Sequence, residues 1–410
     1  MAIQADGRIV AVGTTGVEST AANFAVARYL STAPLPPAPG TFVGVATPQR
    51  ILSTVDGTGV PAPGRVAQGQ TITVDVTGPG GVPDDATAVV LNVTVTGADI
   101  PPAAGSAGLS YLSVTQAGGN ATSNVNFKGL NVGGQDIAGL VKVPVASDGN
   151  VRIYNQKGQT HVIADLFGYY VPDDSGALFN AVAPDRVLDP TQVGPGQTLT
   201  VDVTDVAGVS AVALNVTVSG ATADSFLSVT PAGGNATSNL NFKPTAQGGQ
   251  DIANLVVVPV DAQGRVRIYN DQGSVFVIAD LLGVYHPTTG VAYTPLIPAR
   301  VLQPTPVGAG QTLEVDATTG AVPANASAVV LNVTVTGANV PLSPTAGLSY
   351  LSVTANGGST TSSLNFKSAN AGGQDIANLV VAPVGAGGNV RIYNDKGSAY
   401  VIADVFGFFP

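Results

Sequence analysis

The sequence predicts an all-β protein with three tandem antiparallel β-sandwich domains, jelly-roll-like or Ig-like, behind a short N-terminal β-hairpin segment. Three observations support this prediction. One block of sequence occurs three times, apolar residues inside each copy alternate with polar ones, and 51 Gly and 29 Pro residues separate short apolar runs. Each copy contains about eight predicted strands. The order of these strands within a sheet does not follow from the pattern.

Four sequence blocks that return in the same order define the repeat. The strand AVVLNVTVTGA begins at Ala88 and returns at Ala211 (as AVALNVTVSGA) and at Ala328. A SNLNFK-like block, a GGQDIA block and a VRIYN…VIAD pair follow it each time. The acids of the three VIAD blocks lie 115 and 124 residues apart, which is the length of a whole domain.

The positions of these blocks predict the limits of the domains. We expect a β-hairpin remnant at residues 1–32, a Pro-rich linker at 33–42, and β-sandwich repeats at 43–172, 177–287 and 291–410. Two short links, Pro172–Gly176 and Pro287–Gly290, join the repeats. This organisation predicts three beads on a semi-rigid string.

The strand Val89–Thr96 shows the alternation most clearly. One face carries Val, Leu, Val and Val, and the other carries Val, Asn, Thr and Thr. A run of β-branched residues with one apolar face predicts a half-buried strand.

The N-terminal segment predicts two further strands, Arg8–Thr14 and Asn23–Leu30. A two-stranded hairpin is at best marginally stable alone in water. These strands are therefore expected to join the edge of repeat 1, or the edge of repeat 3 in a neighbouring chain. The Pro-rich linker favours the neighbouring chain, and repeat 3 ends at Phe409–Pro410 with no following domain to cap it. Such strand addition continues head to tail and gives a filament.

Composition argues against several classes of function. Charged residues make up 10% of the chain, the net charge is −10, and no stretch concentrates Lys or Arg, so we expect no nucleic-acid partner. Without Cys there is no disulfide or thiolate chemistry. No apolar run reaches the roughly 18 residues of a membrane span. Asp6 and Arg8 stand where a signal peptide is apolar, so the chain is either a mature product or is exported by another route.

The acids of the VIAD blocks are the strongest candidates for chemistry: they are Asp165, Asp280 and Asp404. Each alternates with large apolar residues, and a buried charge needs a partner. The arginines that stand in suitable blocks are Arg50, Arg186 and Arg300, or Arg152, Arg267 and Arg391. One interpretation is an acid–base residue with a raised pKa, and the other is a structural Arg–Asp pair. Repetition of the motif in all three copies favours the structural pair.

Other polar motifs have structural explanations. Sequons lie mid-strand at Asn92, Asn215 and Asn332, and in turns at Asn120, Asn235 and Asn325. A GGQD loop offers one Asp, which is too few ligands for the oxygen shell of Ca²⁺. His161 and His286 occupy unrelated positions of the repeat, so no His-based metal site or Ser–His–Asp arrangement recurs. We predict no catalytic residue, no metal, no cofactor and no enzymatic activity.

In repeat 2 the blocks read RVLD (Arg186–Asp189), LNVTV (Leu214–Val218), SNLNF (Ser238–Phe242), ANLV (Ala253–Val256), IYN (Ile268–Asn270) and VIAD (Val277–Asp280). This run resembles a domain found in secreted actinobacterial proteins, often in tandem or appended to other modules. The resemblance covers nearly all of residues 43–410 and implies a secreted or surface setting; it does not imply an enzymatic activity. The sequence departs from the family at the RVLDTR-like opening, because RILSTV, RVLDPT and RVLQPT all lack the second Arg.

Residues 3–30 contain ADGRIVAVG and NFAVARYL. They resemble one unit of the Delta-60 type of β-repeat. A lone unit of that kind does not close a propeller, so we interpret this segment as a remnant.

Together these observations predict a non-enzymatic structural or adhesive repeat protein, extracellular or at the cell surface. It is expected to form a homo-oligomer or filament through its N-terminal strands. The alternative is a cell-wall or carbohydrate-binding module array, in which three copies would bind a cell-wall glycan with avidity. Glycan platforms favour exposed Trp and Tyr, and the chain has no Trp. The sequence does not identify a ligand.

Overall fold

The computed structural model describes residues 37–101 and 107–410, together with three N-terminal strands: β1 (Ala2–Ile3), β2 (Ile9–Thr15) and β3 (Asn23–Tyr29). The chain divides into two units, Met1–Pro37 and Ala38–Pro410. In the first unit the strands form an antiparallel sheet in the order β1-β2-β3. The predicted hairpin corresponds to β2 and β3, which pair from Ile9 opposite Tyr29 to Thr15 opposite Asn23. The short strand β1 was not predicted.

The second unit contains eight strands from each repeat, as the periodicity predicts. In repeat 1 they are β4 (Thr41–Ser53), β5 (Thr71–Asp75), β6 (Ala88–Asp99), β7 (Leu109–Thr115), β8 (Val125–Lys128), β9 (Ile137–Pro144), β10 (Asn150–Asn155) and β11 (Gln159–Val171). In repeat 2 they are β12 (Leu178–Val193), β13 (Thr198–Asp202), β14 (Ala211–Ser219), β15 (Ser225–Thr230), β16 (Leu240–Phe242), β17 (Ile252–Pro259), β18 (Arg265–Asn270) and β19 (Val275–His286).

Repeat 3 follows the same plan. Its strands are β20 (Thr294–Val307), β21 (Thr312–Asp316), β22 (Ala328–Asn339), β23 (Leu348–Thr354), β24 (Leu364–Lys367), β25 (Ile376–Pro383), β26 (Asn389–Asn394) and β27 (Ser398–Phe409). The helical segments described are short 3₁₀ turns: Pro79–Gly81, Leu130–Val132, Thr245–Gln247, Ala369–Ala371 and Ala386–Gly388. The all-β prediction is therefore confirmed. Strand β4 begins at Thr41, inside the predicted linker 33–42, and residues 33–36 of that linker lie outside the described residues.

The strand order, which the sequence left open, is the same in all three repeats. Counting the strands of a repeat from one to eight, one sheet has the order 1-8-3-6 and the other has the order 2-7-4-5, with every pair antiparallel. This interleaved order is that of a jelly roll and differs from the strand order of an Ig domain.

The prediction of beads on a string is wrong, because the three repeats form one unit with a shared core. Three backbone bridges connect them in a cycle. Phe42 pairs with Ala177, Phe179 pairs with Val291, and Tyr293 pairs back with Gly40, each through two hydrogen bonds of 2.8–3.0 Å. The third bridge joins repeat 3 to repeat 1, so the repeats close into a ring.

Strand β6 shows why the sequence pattern did not reveal this ring. All residues from Ala88 to Val95 are buried, so the strand is not half-buried as predicted. Val89 and Leu91 lie in the core of the repeats, whereas Ala88 and Val90 lie in the cluster shared between repeats. The face with Asn and Thr is therefore covered by another part of the ring and not by water.

Ring closure changes the expected result of limited proteolysis. The links at 172–175 and 287–290 are exposed, so a protease is expected to cut there. The three fragments, of about 172, 115 and 120 residues, should nevertheless remain associated, because the bridges and the shared core hold them together. Size-exclusion chromatography of the nicked protein should give the elution volume of the intact chain under native conditions and separate peaks in denaturant. Native separation of the fragments would contradict the ring.

Candidate functional site

The centre of the ring is aromatic. Each repeat contributes one ring at the start of its first strand (in repeat 3, one residue before it) and one ring from its last strand. These pair between repeats: Phe42 with Tyr285, Phe179 with Phe409, and Tyr293 with Tyr170. The centroids are 4.4, 4.3 and 4.7 Å apart, distances at which aromatic pairs attract each other. The last strand of each repeat carries a glycine next to one of these rings. A Cβ at Gly168, Gly283 or Gly407 would collide with Phe42, Phe179 or Tyr293, respectively.

A single lysine lies in this aromatic cluster. Lys142 is fully buried, and its Nζ is 3.0 Å from the hydroxyl of Tyr285 and 5.2–5.8 Å from five ring centroids. Burial lowers the pKa of Lys142 to about 7. The equivalent residues of the other repeats are Val257 and Val381. The sequence analysis missed this residue, although IAGLVKVPV beside IANLVVVPV carries the signal.

Asparagine side chains form hydrogen bonds between neighbouring repeats. The mid-strand sequon residues are buried, and each donates its Nδ2 to a Ser carbonyl of another repeat: Asn92 to Ser238, Asn215 to Ser362, and Asn332 to Ser123. These asparagines are buried at the junctions, the contacts between neighbouring repeats. Burial makes a mid-strand sequon a poor glycan acceptor.

At two of the three junctions a second Asn side chain adds a hydrogen bond between the repeats. Asn254 Oδ1 accepts from the backbone N–H of Leu140 at 3.1 Å, and Asn378 Oδ1 accepts from that of Leu255 at 3.1 Å. Repeat 1 has Gly139 at the equivalent position. The junction between repeats 3 and 1 therefore differs from the other two in its polar contacts.

The three VIAD acids form the structural pairs that the sequence favours, with the first of the two sets of arginines. Asp165 binds Arg50 through both oxygens, at 3.0 and 3.2 Å. Asp280 and Asp404 each accept from Nε of their arginine, Arg186 or Arg300, at 2.5 Å. Burial raises the pKa of each carboxyl and the arginine opposes the rise.

The GGQD acids bind residues at or near the end of the third strand of each repeat. Asp136 accepts from Thr96 Oγ1 at 2.7 Å and from the backbone N–H of Gly97 at 3.3 Å. Asp251 accepts from Ser219 at 3.2 Å, and burial raises its pKa. Within the described residues, no group of three His, Asp or Glu side chains is placed to hold a metal ion. The described part of the chain also has no helix long and apolar enough to cross a membrane.

Clefts open at the junctions, beside these polar residues. One cleft of about 260 Å³ lies between repeats 1 and 3, and a similar one of about 230 Å³ lies between repeats 2 and 3. Each is lined by a Tyr, an Asn and turn residues from one repeat, and by an Arg, a Thr and the GGQD acid from the other. The pairs of equivalent residues are Tyr111 and Tyr350, Asn126 and Asn365, Arg300 and Arg186, Thr334 and Thr217, and Asp375 and Asp251. The equivalent of the Tyr at the third junction is Phe226.

No protein-family model matches the chain, and no curated protein matches it. Among solved structures, the chain is similar to a structure of Sulfolobus Turreted Icosahedral Virus, with 12% identity, coverage of 90% of this chain and 91% of that chain, and a TM-score of 0.18. It is similar also to a structure described as the triple jelly roll fold and turret assembly in an archaeal virus, with 12% identity, 90% coverage of both chains and a TM-score of 0.18. At this TM-score the likeness carries no argument, and the jelly-roll strand order stands on the hydrogen-bonded pairing alone.

Proposed function

We propose that this chain is a non-enzymatic structural or adhesive protein of the extracellular space or cell surface, built from three jelly-roll sandwiches fused into one ring. The observation that supports the proposal is that the polar residues repeated in every copy make structural contacts. The Asn of each LNVT strand contacts the neighbouring repeat, and the Asp of each VIAD block is neutralised by an Arg. Residues that recur in every copy thus hold the body together. The resemblance to tandem domains of secreted actinobacterial proteins supports the location.

The proposal includes self-assembly through the N-terminal strands. The sequence-based prediction names the edge of repeat 3 as acceptor, and the last strand of that repeat, β27, lies inside its sheet between β20 and β22, with Phe409 buried. We propose the edge strand β21 as the acceptor, because it pairs on one side with β26 and alternates between exposed and more buried residues. Glu314 and Asp316 on this strand discourage unspecific pairing of edges.

Deletion of residues 1–37 tests the assembly, because this boundary leaves Gly40 free to pair with Tyr293. The full-length protein is expected to form filaments that are visible by electron microscopy, whereas the truncated protein should be monomeric with an unchanged circular dichroism spectrum. Replacing Thr312 on β21 with Pro removes an N–H that faces away from β26, on the open edge, and should also reduce assembly. A full-length protein that stays monomeric at high concentration would refute the filament.

The second candidate function is binding of a cell-wall or other glycan. The observation that favours it is the presence of equivalent polar clefts with a Tyr at two junctions. Carbohydrate sites combine an aromatic surface with a few oriented hydrogen-bonding groups. Pulldown with cell walls, scored separately from filament formation, distinguishes the two functions.

A further inference from the structure

The junction between repeats 3 and 1 lacks a pair of hydrogen bonds that the other two junctions share. At the junction of repeats 1 and 2, Asn254 accepts from the N–H of Leu140 at 3.1 Å and donates to Asn92 Oδ1 at 3.4 Å. Asn378 makes the two equivalent bonds at the junction of repeats 2 and 3, both at 3.1 Å. Repeat 1 has Gly139 at this position, so neither bond forms at the third junction. This junction also has no covalent link, because the chain runs from repeat 1 to repeat 2 and from repeat 2 to repeat 3.

The strand that carries Gly139, β9, departs from its equivalents at a second position. Lys142 stands where β17 and β25 carry Val257 and Val381, and its amine is buried among rings that come from all three repeats. Burial of an ammonium without a carboxylate is unfavourable, and release of repeat 1 from the ring returns this amine to water. Both departures therefore weaken the attachment of repeat 1 to the rest of the ring.

We propose that repeat 1 is exchangeable and that two copies of this chain trade it, so that each ring holds repeat 1 of the other chain. Every junction surface then meets the same surface as in the closed monomer, and domain swapping of this kind is a low-cost route to a dimer. The hinge is the exposed link at 172–175, ahead of the bridge residue Ala177. An extended chain from Val171 to Ala177 reaches about 20 Å, so the two rings of the dimer lie close together at this edge.

Release of a terminal repeat breaks two junctions, and the second of them decides which repeat leaves. For repeat 3 it is the junction with repeat 2, where the charged donor Lys367 binds Gly249 O at 3.1 Å. For repeat 1 it is the junction on the other side of repeat 2, where the equivalent Lys243 lines a cleft of about 400 Å³ and forms no such bond within the described residues. The hydroxyls of Tyr170 and Tyr285 bond there at 2.8 Å, a neutral pair that is weaker than a bond from a charged donor. Repeat 1 is therefore the repeat that exchanges.

The rate of exchange tests the inference, because the monomer and the swapped dimer contain the same junctions and only the path between them requires opening. The full chain, carrying Thr312→Pro to suppress strand addition at β21, is kept under native conditions at about 1 mM, where encounters between chains compete with the millimolar effective concentration of a tethered repeat. Diluted aliquots are separated by size-exclusion chromatography with light scattering. We expect slow conversion of monomer to dimer.

Gly139→Asn supplies the missing side chain and should slow this conversion about tenfold, because the junction that must open gains the bonds of its equivalents. The position admits an Asn. A Cβ there would lie 3.2 Å from Val125, and the other repeats hold their Asn with the larger Leu240 and Leu364 in place of that valine. The thermal midpoint of this variant should be raised.

Two matched variants identify the repeat that leaves. Asn254→Gly weakens the junction of repeats 1 and 2, which must open, and should speed conversion about tenfold. Asn378→Gly makes the same change at the junction that stays closed, so it should lower the thermal midpoint equally and keep the rate within about twofold. Acceleration by Asn378→Gly alone would assign the exchange to repeat 3 and overturn the inference, and equal acceleration by both would show that exchange passes through complete unfolding.

Absence of any dimer at about 1 mM, or an unchanged rate in Gly139→Asn, would also overturn the inference. None of these outcomes bears on strand addition by the N-terminal strands, which deletion of residues 1–37 tests separately.

Discussion

Replacing Lys142 with Met is expected to stabilise the protein at neutral pH and to flatten its stability profile above pH 7. The pKa of Lys142 falls from 10.5 to about 7 on folding because the amine is buried. Between these values the unfolded chain binds a proton that the folded chain does not. The free energy of unfolding of the wild type should therefore rise with pH in this window, by at most about 1.4 kcal/mol per pH unit. In the Met variant this contribution is absent.

Two opposing effects decide whether Lys142→Met raises or lowers the free energy of unfolding at neutral pH. Five aromatic rings surround Nζ, and cation–π contacts contribute about 2 kcal/mol when desolvated. Burying an ammonium without a carboxylate costs several kcal/mol, and replacement of buried ionic groups by apolar ones is often stabilising by about 1–4 kcal/mol. We expect desolvation to dominate, because the equivalent positions carry Val257 and Val381.

Urea denaturation at several pH values from 6 to 9.5 measures the free energy of unfolding of both proteins and its slope with pH. This range avoids higher pH, where burial raises the pKa of Tyr170, Tyr285 and Tyr293, and where ionisation of the unfolded chain lowers stability. Lys157→Met, at an exposed position, is the control and should keep the wild-type slope. An unchanged slope in Lys142→Met would show that Nζ reaches water in the folded protein.

Replacing Asp165 with Ala is expected to destabilise the protein by about 3 kcal/mol. Removal of one partner of a buried pair costs about 3–5 kcal/mol because the other charge is left without compensation. The lower end applies here, since the side chain of Arg50 is 39% exposed and can be hydrated. Asp165→Asn should cost less than Ala, because an amide oxygen still accepts one hydrogen bond.

The equivalent change at Asp280 provides an internal comparison. Asp280 pairs with Arg186 through Oδ1, while its Oδ2 is buried without a partner, whereas Asp165 uses both oxygens. Asp280→Ala should therefore cost roughly 1 kcal/mol less than Asp165→Ala. Differential scanning calorimetry of the two variants gives the comparison. If neither variant lost stability, the Asp–Arg pairs would have to be solvated.

The sequence by itself determined the local features of this protein. Alternation with a period of two indicated strands, because successive side chains of a strand point to opposite faces. Repetition of the blocks gave three copies with eight strands each, and an acid among apolar residues indicated Asp165 and its equivalents as paired groups. These inferences depend on residues that are close in the chain, or on the cost of burying a charge, and both can be read from the order of residues.

Only the tertiary structure decided how the copies are joined. The polar face of β6, which the pattern assigned to solvent, is buried because a neighbouring repeat covers it and Asn92 finds the carbonyl of Ser238 there. The bridge from Gly40 to Tyr293 joins residues that are far apart in sequence, and no local pattern encodes such a contact. Lys142 acquires its environment from rings of all three repeats. Alternation separates the two faces of a strand, but what covers the second face depends on ring closure.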